Sequence, residues 1–253
     1  MKEVIMRAKD ICKSFANSGV QNHVLDRVNV EIYEGDFTII MGSSGAGKST
    51  LLYALSCMDS VTGGEVYYKD QVISGMKERQ MAPIRAKEFG FVFQQTHLIS
   101  NLTLFENVVV TGYLDKKVKT EDVHSRAKEL LTQMDIWEAK DRYPSQVSGG
   151  EAQRAAIARA MINTPGIVFA DEPTGALNKR NTTQVLDILT KLNRDGQSIV
   201  MVTHDSRAAI RATRLLYLED GKVIGEMSMP PYEEEQAKNR EAQVGAWLAS
   251  MQW

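Results

Sequence analysis

A chain of 253 residues with 43% apolar content is long enough to bury one large core or two small ones. Its formal net charge of −2, with 25% charged residues, gives no footprint for nucleic acid and no preference for acidic partners. Cys12 and Cys57 have no C-x-x-C spacing, MKEVIMRAKD has no signal-peptide apolar stretch, and no apolar run reaches the ~20 residues that span a bilayer, so a reduced, soluble, intracellular chain without zinc or disulfides is expected.

Short apolar runs alternate with helical periods along the chain. Val28, Val30 and Ile32 alternate as a half-buried strand, Glu34-Gly35-Asp36 turns, and Phe37–Met41 reads as a fully buried strand. A helix opening at Thr120-Glu121-Asp122 carries Val123, Ala127, Leu130, Leu131 and Met134 on one face. Ser148-Gly149-Gly150-Glu151 fits the S-x-x-E capping box at the head of an alanine-rich helix, which Thr164-Pro165 stops. Residues 167–170 and Ser198–Val202 are further buried strands, and Asp220-Gly221 joins two apolar runs as a hairpin turn. After Pro230-Pro231 a charged tail begins, in which Val244, Trp247, Leu248 and Met251 give one helical apolar stripe. The pattern is α/β with a helical insertion.

Between the strand Phe37–Met41 and a helix with Leu51, Leu52 and Leu55 stands Gly42-Ser43-Ser44-Gly45-Ala46-Gly47-Lys48-Ser49-Thr50. It fits the phosphate-binding pattern G-x-x-x-x-G-K-[ST] in the strand-to-helix context that the pattern requires. Glycines let successive amides converge on phosphate oxygens, Lys48 brings positive charge to the β- and γ-phosphates, and the Ser49 hydroxyl can coordinate Mg2+. A nucleoside triphosphate is the expected ligand. At the end of strand 167–170, Asp171 can hold the water shell of the magnesium ion, and Glu172, one residue nearer the γ-phosphate, can act as general base on the attacking water. The capping box accounts for Ser148 and Glu151 but not for Gly149 and Gly150, which leave a helix start bare of side chains and suited to an anion.

In this order the motifs resemble those of the ATPase subunits of ABC transporters, over nearly all of residues 1–228. Residues 42–50 are similar to the Walker A motif, Gln94 in Phe91-Val92-Phe93-Gln94 to the Q-loop glutamine, and residues 147–151 to the signature. Residues 167–172 resemble Walker B with its catalytic glutamate, Ala176-Leu177-Asn178 the D-loop, and His204 the switch histidine, while Phe15 falls where the family places an adenine-stacking aromatic. The resemblance implies an α/β P-loop fold with a RecA-like core (1–93 and 161–228), an antiparallel β subdomain, an inserted helical subdomain (94–160) and a C-terminal tail (229–253). It implies ATP and Mg2+ as cofactors, with Ser49, Gln94 and Asp171 at the ion. It also implies a head-to-tail homodimer, in which Ser148, Gly149 and Gly150 of one copy grip the γ-phosphate bound to the P-loop of the other.

Three residues depart from the family pattern: Val147 for leucine, Glu151 for glutamine and Asn178 for aspartate. Within the family, GFVFQQTHLISNLTLFENV and FADEPTGALN look most like the bacterial branch of macrolide exporters, lipoprotein-release, bacitracin-resistance and cell-division ATPases. That branch implies a separate integral membrane permease and a peripheral position at the cytoplasmic face of the membrane; of His97, Leu98, Ile99, Leu102, Leu104 and Phe105, about half are expected in the subdomain core, and the resemblance implies that the rest line a groove for a helix of the permease. Export of antimicrobial peptides is the expected role, with cell division or lipoprotein release as the alternative and a nucleotide-gated regulatory module as the alternative of another class. The single cassette and the spacing of P-loop and signature exclude translation-factor and DNA-repair relatives of the superfamily.

Overall fold

The computed structural model describes residues 2–17 and 20–253. Strands β1 (Val4–Asn17) and β2 (Val20–Tyr33) pair antiparallel over their length, and the register slips at four places along β1. Each slip is a bulge that breaks the two-residue alternation, so Ile5, Met6, Ala8 and Ile11 are all buried although they do not alternate. Next comes β3 (Phe37–Met41), buried at every position, and α1 (Lys48–Leu55), which turns Leu51, Leu52, Ala54 and Leu55 inward. β4 (Gly63–Tyr68) and β5 (Gln71–Val72) complete an antiparallel sheet of order β2-β1-β4-β5.

The middle of the chain holds α2 (Glu78–Glu88), β6 (Phe89–Phe93), α3 (Leu104–Gly112), α4 (Thr120–Gln133), α5 (Gly149–Met161), β7 (Ile167–Asp171) and α6 (Lys179–Arg194). There follow β8 (Ser198–Val202), the short α7 (Ser206–Ala209), β9 (Arg214–Glu219), β10 (Lys222–Ser228) and α8 (Ala237–Ser250). The backbone divides into two compact units, one of Met1–Lys77 with Leu192–Trp253 and one of Glu78–Lys191. In the first, β3 lies between β8 and β9, parallel to both, and β10 pairs antiparallel with β9. In the second, β6 and β7 pair in parallel and the helices α3, α4 and α5 pack on one another.

Local chemistry explains several of these elements. All five apolar residues of the α4 face are buried, Val123, Ala127, Leu130, Leu131 and Met134 alike. α3 starts on a second capping box, with Thr103 Oγ accepting from the Glu106 amide and the Glu106 carboxylate accepting from the Thr103 amide. The turn between β9 and β10 has positive φ at both Asp220 (44°) and Gly221 (72°), the backbone of a type I′ hairpin.

The tail helix packs on its own unit. Val244 and Leu248 are buried, the Trp247 ring meets Tyr217 of β9 edge-on at 6.4 Å, and Gly225 of β10 lies so close that a Cβ there would stand 2.7 Å from the Met251 sulfur. Arg240 anchors the helix: its Nε donates to the Ile210 carbonyl (2.6 Å), Nη1 to that of Pro230 (2.7 Å) and Nη2 to that of Ala212. Burial pushes this guanidinium below the ordinary arginine range, and three carbonyl dipoles rather than a carboxylate receive it. Arg240→Met, which keeps the stem but strips the donors, is expected to lower the urea-unfolding free energy by about 3 kcal/mol, because buried acceptors are left unpaired. A loss under ~0.5 kcal/mol would show that the carbonyls find other donors.

Candidate functional site

The first unit supplies the phosphate loop. It leaves the carboxyl end of β3 at Gly42 and enters α1 through Gly47, the helix N-cap, whose φ of 98° is left-handed. Side chains are excluded here by sterics as well as by torsion: a Cβ on Gly42 would collide with the Leu218 carbonyl, and one on Gly47 would stand 2.8 Å from the Val24 carbonyl. Lys48 folds back over the loop, its Nζ donating to the carbonyls of Gly42 (2.9 Å) and Ser43 (2.8 Å). α1 has no side-chain cap and no acidic residue in its first turn. Ser43, Ser44 and Gly45 are exposed, Ala46 is buried, and Lys48, Ser49 and Thr50 are half-buried.

Strand register brings His204 to this loop. Ile40 of β3 pairs with Val202 of β8, so Gly42 and His204, each two residues further on, leave their strands at the same height. His204 is exposed, and the next residue, Asp205, caps α7 and pairs with Arg207. Phe15 lies on the β1–β2 hairpin, 45% exposed, with Lys13 Nζ 4.8 Å from the ring centre. That ammonium is itself held by the Asp59 carboxylate and the Ser60 carbonyl.

The second unit repeats the arrangement with acids. Phe93 of β6 pairs with Asp171 of β7, so Gln94 and Glu172 follow a matched pair of strand ends. Glu172 has φ 46°, a left-handed conformation that is uncommon for a residue with a long side chain. Its carbonyl accepts from the Gly175 amide (3.0 Å), and a Cβ on Gly175 would meet Gln94 Nε2 at 2.9 Å, so the turn after Glu172 and the glutamine lie against each other. Asp171 and Glu172 are half-buried and Gln94 is exposed.

Ser148 caps α5, and both halves of its capping box are formed. Its Oγ accepts from the Glu151 amide (3.3 Å), while Glu151 Oε2 accepts from the Ser148 amide (2.9 Å) and hydroxyl (2.7 Å). Gly149 is exposed, and Gly150 is buried against Asn181. Within the stretch 97–105, Leu104 is core and the Phe105 ring packs on those of His124 (5.3 Å) and Trp137 (6.3 Å), whereas Ile99 is 45% exposed.

Residues 25–175 match the sequence profile of the family described as ABC transporter. The chain belongs to that family. It carries the ATPase domain of an ABC transporter, with the α/β cassette fold expected for it. An ABC transporter ATP-binding protein of Methanocaldococcus jannaschii is 43% identical over 220 residues, which are 87% of this chain and 98% of the relative. The dimeric post-hydrolysis state of the ATP-binding cassette MJ0796, bound to ADP and Pi, is similar at 37% identity with a TM-score of 0.83, covering 90% of this chain and all of that one. A second dimeric structure of MJ0796, described as a bacterial ABC transporter cassette, matches at 38% identity with the same TM-score and coverage. The fold alone extends to cbiO1 of Clostridium perfringens, at 23% identity and a TM-score of 0.79 over 90% of this chain and 89% of the other.

Two departures from the ABC pattern have a local explanation. Asn178 Oδ1 accepts from the Asn181 amide (3.0 Å) at the head of α6, a cap that asparagine makes as well as aspartate. Glu151 keeps the box that a glutamine would make, but as an anion. The Ser148 hydroxyl, then the Ser148 amide, hold its carboxyl below the ordinary value of 4.5. A depressed carboxylate contributes stability that is full above 4.5 and is lost as pH falls through the folded value. Glu151→Gln is therefore expected to lower Tm modestly at neutral pH and to flatten its fall below pH 4.5 relative to the parent chain. Parallel melting curves for the two proteins throughout the acid range would contradict this.

Sequence reading missed Gln153 and Arg159. Both lie on α5 and donate to backbone carbonyls beside Gln94. The buried Gln153 inside an alanine-rich helix is a signal that does not name its partner, and the half-buried Arg159 reads as surface.

Proposed function

We propose that this chain is the ATP-binding and ATP-hydrolysing subunit of a transporter, and that two copies pair head to tail over two nucleotides to drive a separate membrane permease. The phosphate loop carries this reading. At Gly42 and Gly47 a Cβ would run into neighbouring backbone, the lysine lies across the loop, and the first turn of the helix carries no acidic residue. The dimeric form of the MJ0796 cassette and its bound ADP and Pi support the pairing and the chemistry. Among the described residues no helix is long and apolar enough to cross a membrane, so a transport role calls for a membrane partner.

The proposed roles rest on the resemblance of the motifs to those of the family. Phe15 offers an exposed ring for the adenine, and the amides of residues 42–50 with Lys48 receive the β- and γ-phosphates. The Ser49 hydroxyl, the Gln94 side-chain oxygen and the Asp171 carboxylate are hard oxygen donors of the kind that Mg2+ takes, so these residues would hold the ion. When bound, it neutralises charge on the phosphate oxygens. Glu172 takes the proton of the attacking water as its oxygen bonds to the γ-phosphorus and the bond to the β-bridging oxygen breaks, and His204 contacts the same phosphate. Ser148, Gly149 and Gly150 complete the site of the second copy. In this reading residues 1–228 are the cassette, residues 229–253 its tail, and the exposed Ile99 faces the permease at the cytoplasmic side of the membrane.

The finer assignment rests on GFVFQQTHLISNLTLFENV and FADEPTGALN, which support the branch of mechanical exporters and resistance ATPases, with lipoprotein release or cell division as the nearby role. Lys48→Ala is expected to abolish ATP hydrolysis and weaken binding of Mg-ATP, measured by phosphate release and by calorimetry; undiminished turnover would remove the site assignment. Glu172→Gln should still bind ATP while hydrolysing it ~100-fold or more slowly, and should accumulate as an ATP-bound dimer on gel filtration. Hydrolysis at the parental rate in that variant would mean that another group accepts the proton.

A further inference from the structure

α5 does two things at once in the second unit. Its N-terminus is the turn Ser148-Gly149-Gly150, and its flank is bonded to the segment that carries Gln94. Gln153, 1% exposed, donates Nε2 to the carbonyl of Phe93 at 3.0 Å, immediately before Gln94. Arg159 donates Nη2 to the Thr96 carbonyl at 2.8 Å and Nη1 to the His97 carbonyl at 2.7 Å, two and three residues after it. The two side chains are about 9 Å apart along the helix axis at 1.5 Å per residue, so they hold the segment at both ends. Beyond these two side chains β6 also touches α5 through its backbone: a Cβ on Gly90 would stand 2.6 Å from the Ala160 carbonyl.

The chemistry of the Arg159 contact is specific. The guanidinium is half-buried, and two successive backbone carbonyls take it. Neighbouring carbonyls in extended chain point to opposite sides, and His97, with φ 48°, breaks that alternation so that both reach one fork. A lysine has no fork and can serve one of the two. Charge-assisted bonds are among the stronger ones a side chain makes, and breaking these takes the donor from the part-buried Thr96 carbonyl.

We infer that Gln153 and Arg159 are positioning residues that make α5 and residues 93–97 a single body, so that Gln94 and the Ser148–Gly150 turn move together. The inference rests on the proposed function for its consequence: a displacement of Gln94 at one nucleotide is delivered to the turn that serves the other nucleotide. The clamp itself is testable without activity.

The test is hydrogen exchange of the full chain without nucleotide, comparing the parent with Arg159→Met and the milder Arg159→Lys. Exchange at residues 94–98 and at 149–152 is expected to speed up together, ~10-fold or more in Arg159→Met and less in Arg159→Lys, with the amides of β3 and α1 unchanged. Unaltered exchange in both variants, acceleration at 94–98 without the turn, or equal acceleration in β3 and α1 would each overturn the inference. A second arm is steady-state ATPase. Arg159→Met should lower kcat ~10-fold while KM for ATP stays within about twofold, and Arg159→Lys should recover part of the loss. A change confined to KM would overturn the positioning role. If the parent chain neither binds nor hydrolyses ATP, the functional reading fails, and hydrogen exchange still decides the clamp.

Discussion

Three stretches of main chain meet beside the phosphate loop with almost no side chain between them. The Asp26 amide of β2 donates to the Gly221 carbonyl (3.1 Å), and the Gly221 amide donates to the Ala46 carbonyl (3.2 Å). A Cβ on Gly221 would collide with the Val24 carbonyl, the same carbonyl that limits Gly47. Buried peptide groups need partners, and each of these strands supplies one for the next. The loop therefore owes its shape to β2, β9 and the β9–β10 turn before any anion arrives, and its amides need little reorganisation to receive one. Glycine is required at these junctions for room as much as for torsion.

Parallel register does the rest of the positioning. A strand end is a fixed point in a parallel pair, since a slip by one residue would turn every buried side chain outward. Ile40 with Val202 places Gly42 level with His204, and Phe93 with Asp171 places Gln94 level with Glu172. Polar residues thus stand just past apolar strands whose burial holds them in place, and the strain at Glu172 is confined to a residue bounded by β7 on one side and a bonded turn on the other.

Much of this was legible in the sequence because the signals were local. Phe37–Met41, Ser198–Val202, the α4 face, the Asp220-Gly221 turn and the Ser148–Glu151 box each declare themselves within a few residues, and the structure places each as read. β1 was not legible, because its bulges destroy the period on which strand reading depends. α2 was obscured by Pro83 in its interior and by a single buried residue, Met81. The tail stripe showed that α8 must pack on something. It did not show what, since Tyr217, Gly225 and the three carbonyls around Arg240 are neighbours in space only. Arg159 and Arg240 were hidden for the same reason: a charged side chain reads as surface until its acceptors are seen.

The two units differ in how their chains are cut. Glu78–Lys191 is continuous, whereas the other unit is assembled from both ends of the sequence, with β3 made early and both of its parallel neighbours, β8 and β9, made late. During synthesis on the ribosome the continuous unit can close as soon as it emerges, while β3 waits with both edges unpaired until Ser198 and then Arg214 follow. An apolar strand in that condition is a template for pairing with another chain. α8, which seats on Gly225 and brings Arg240 to its carbonyls, can add to this unit only after β9 and β10 are in place.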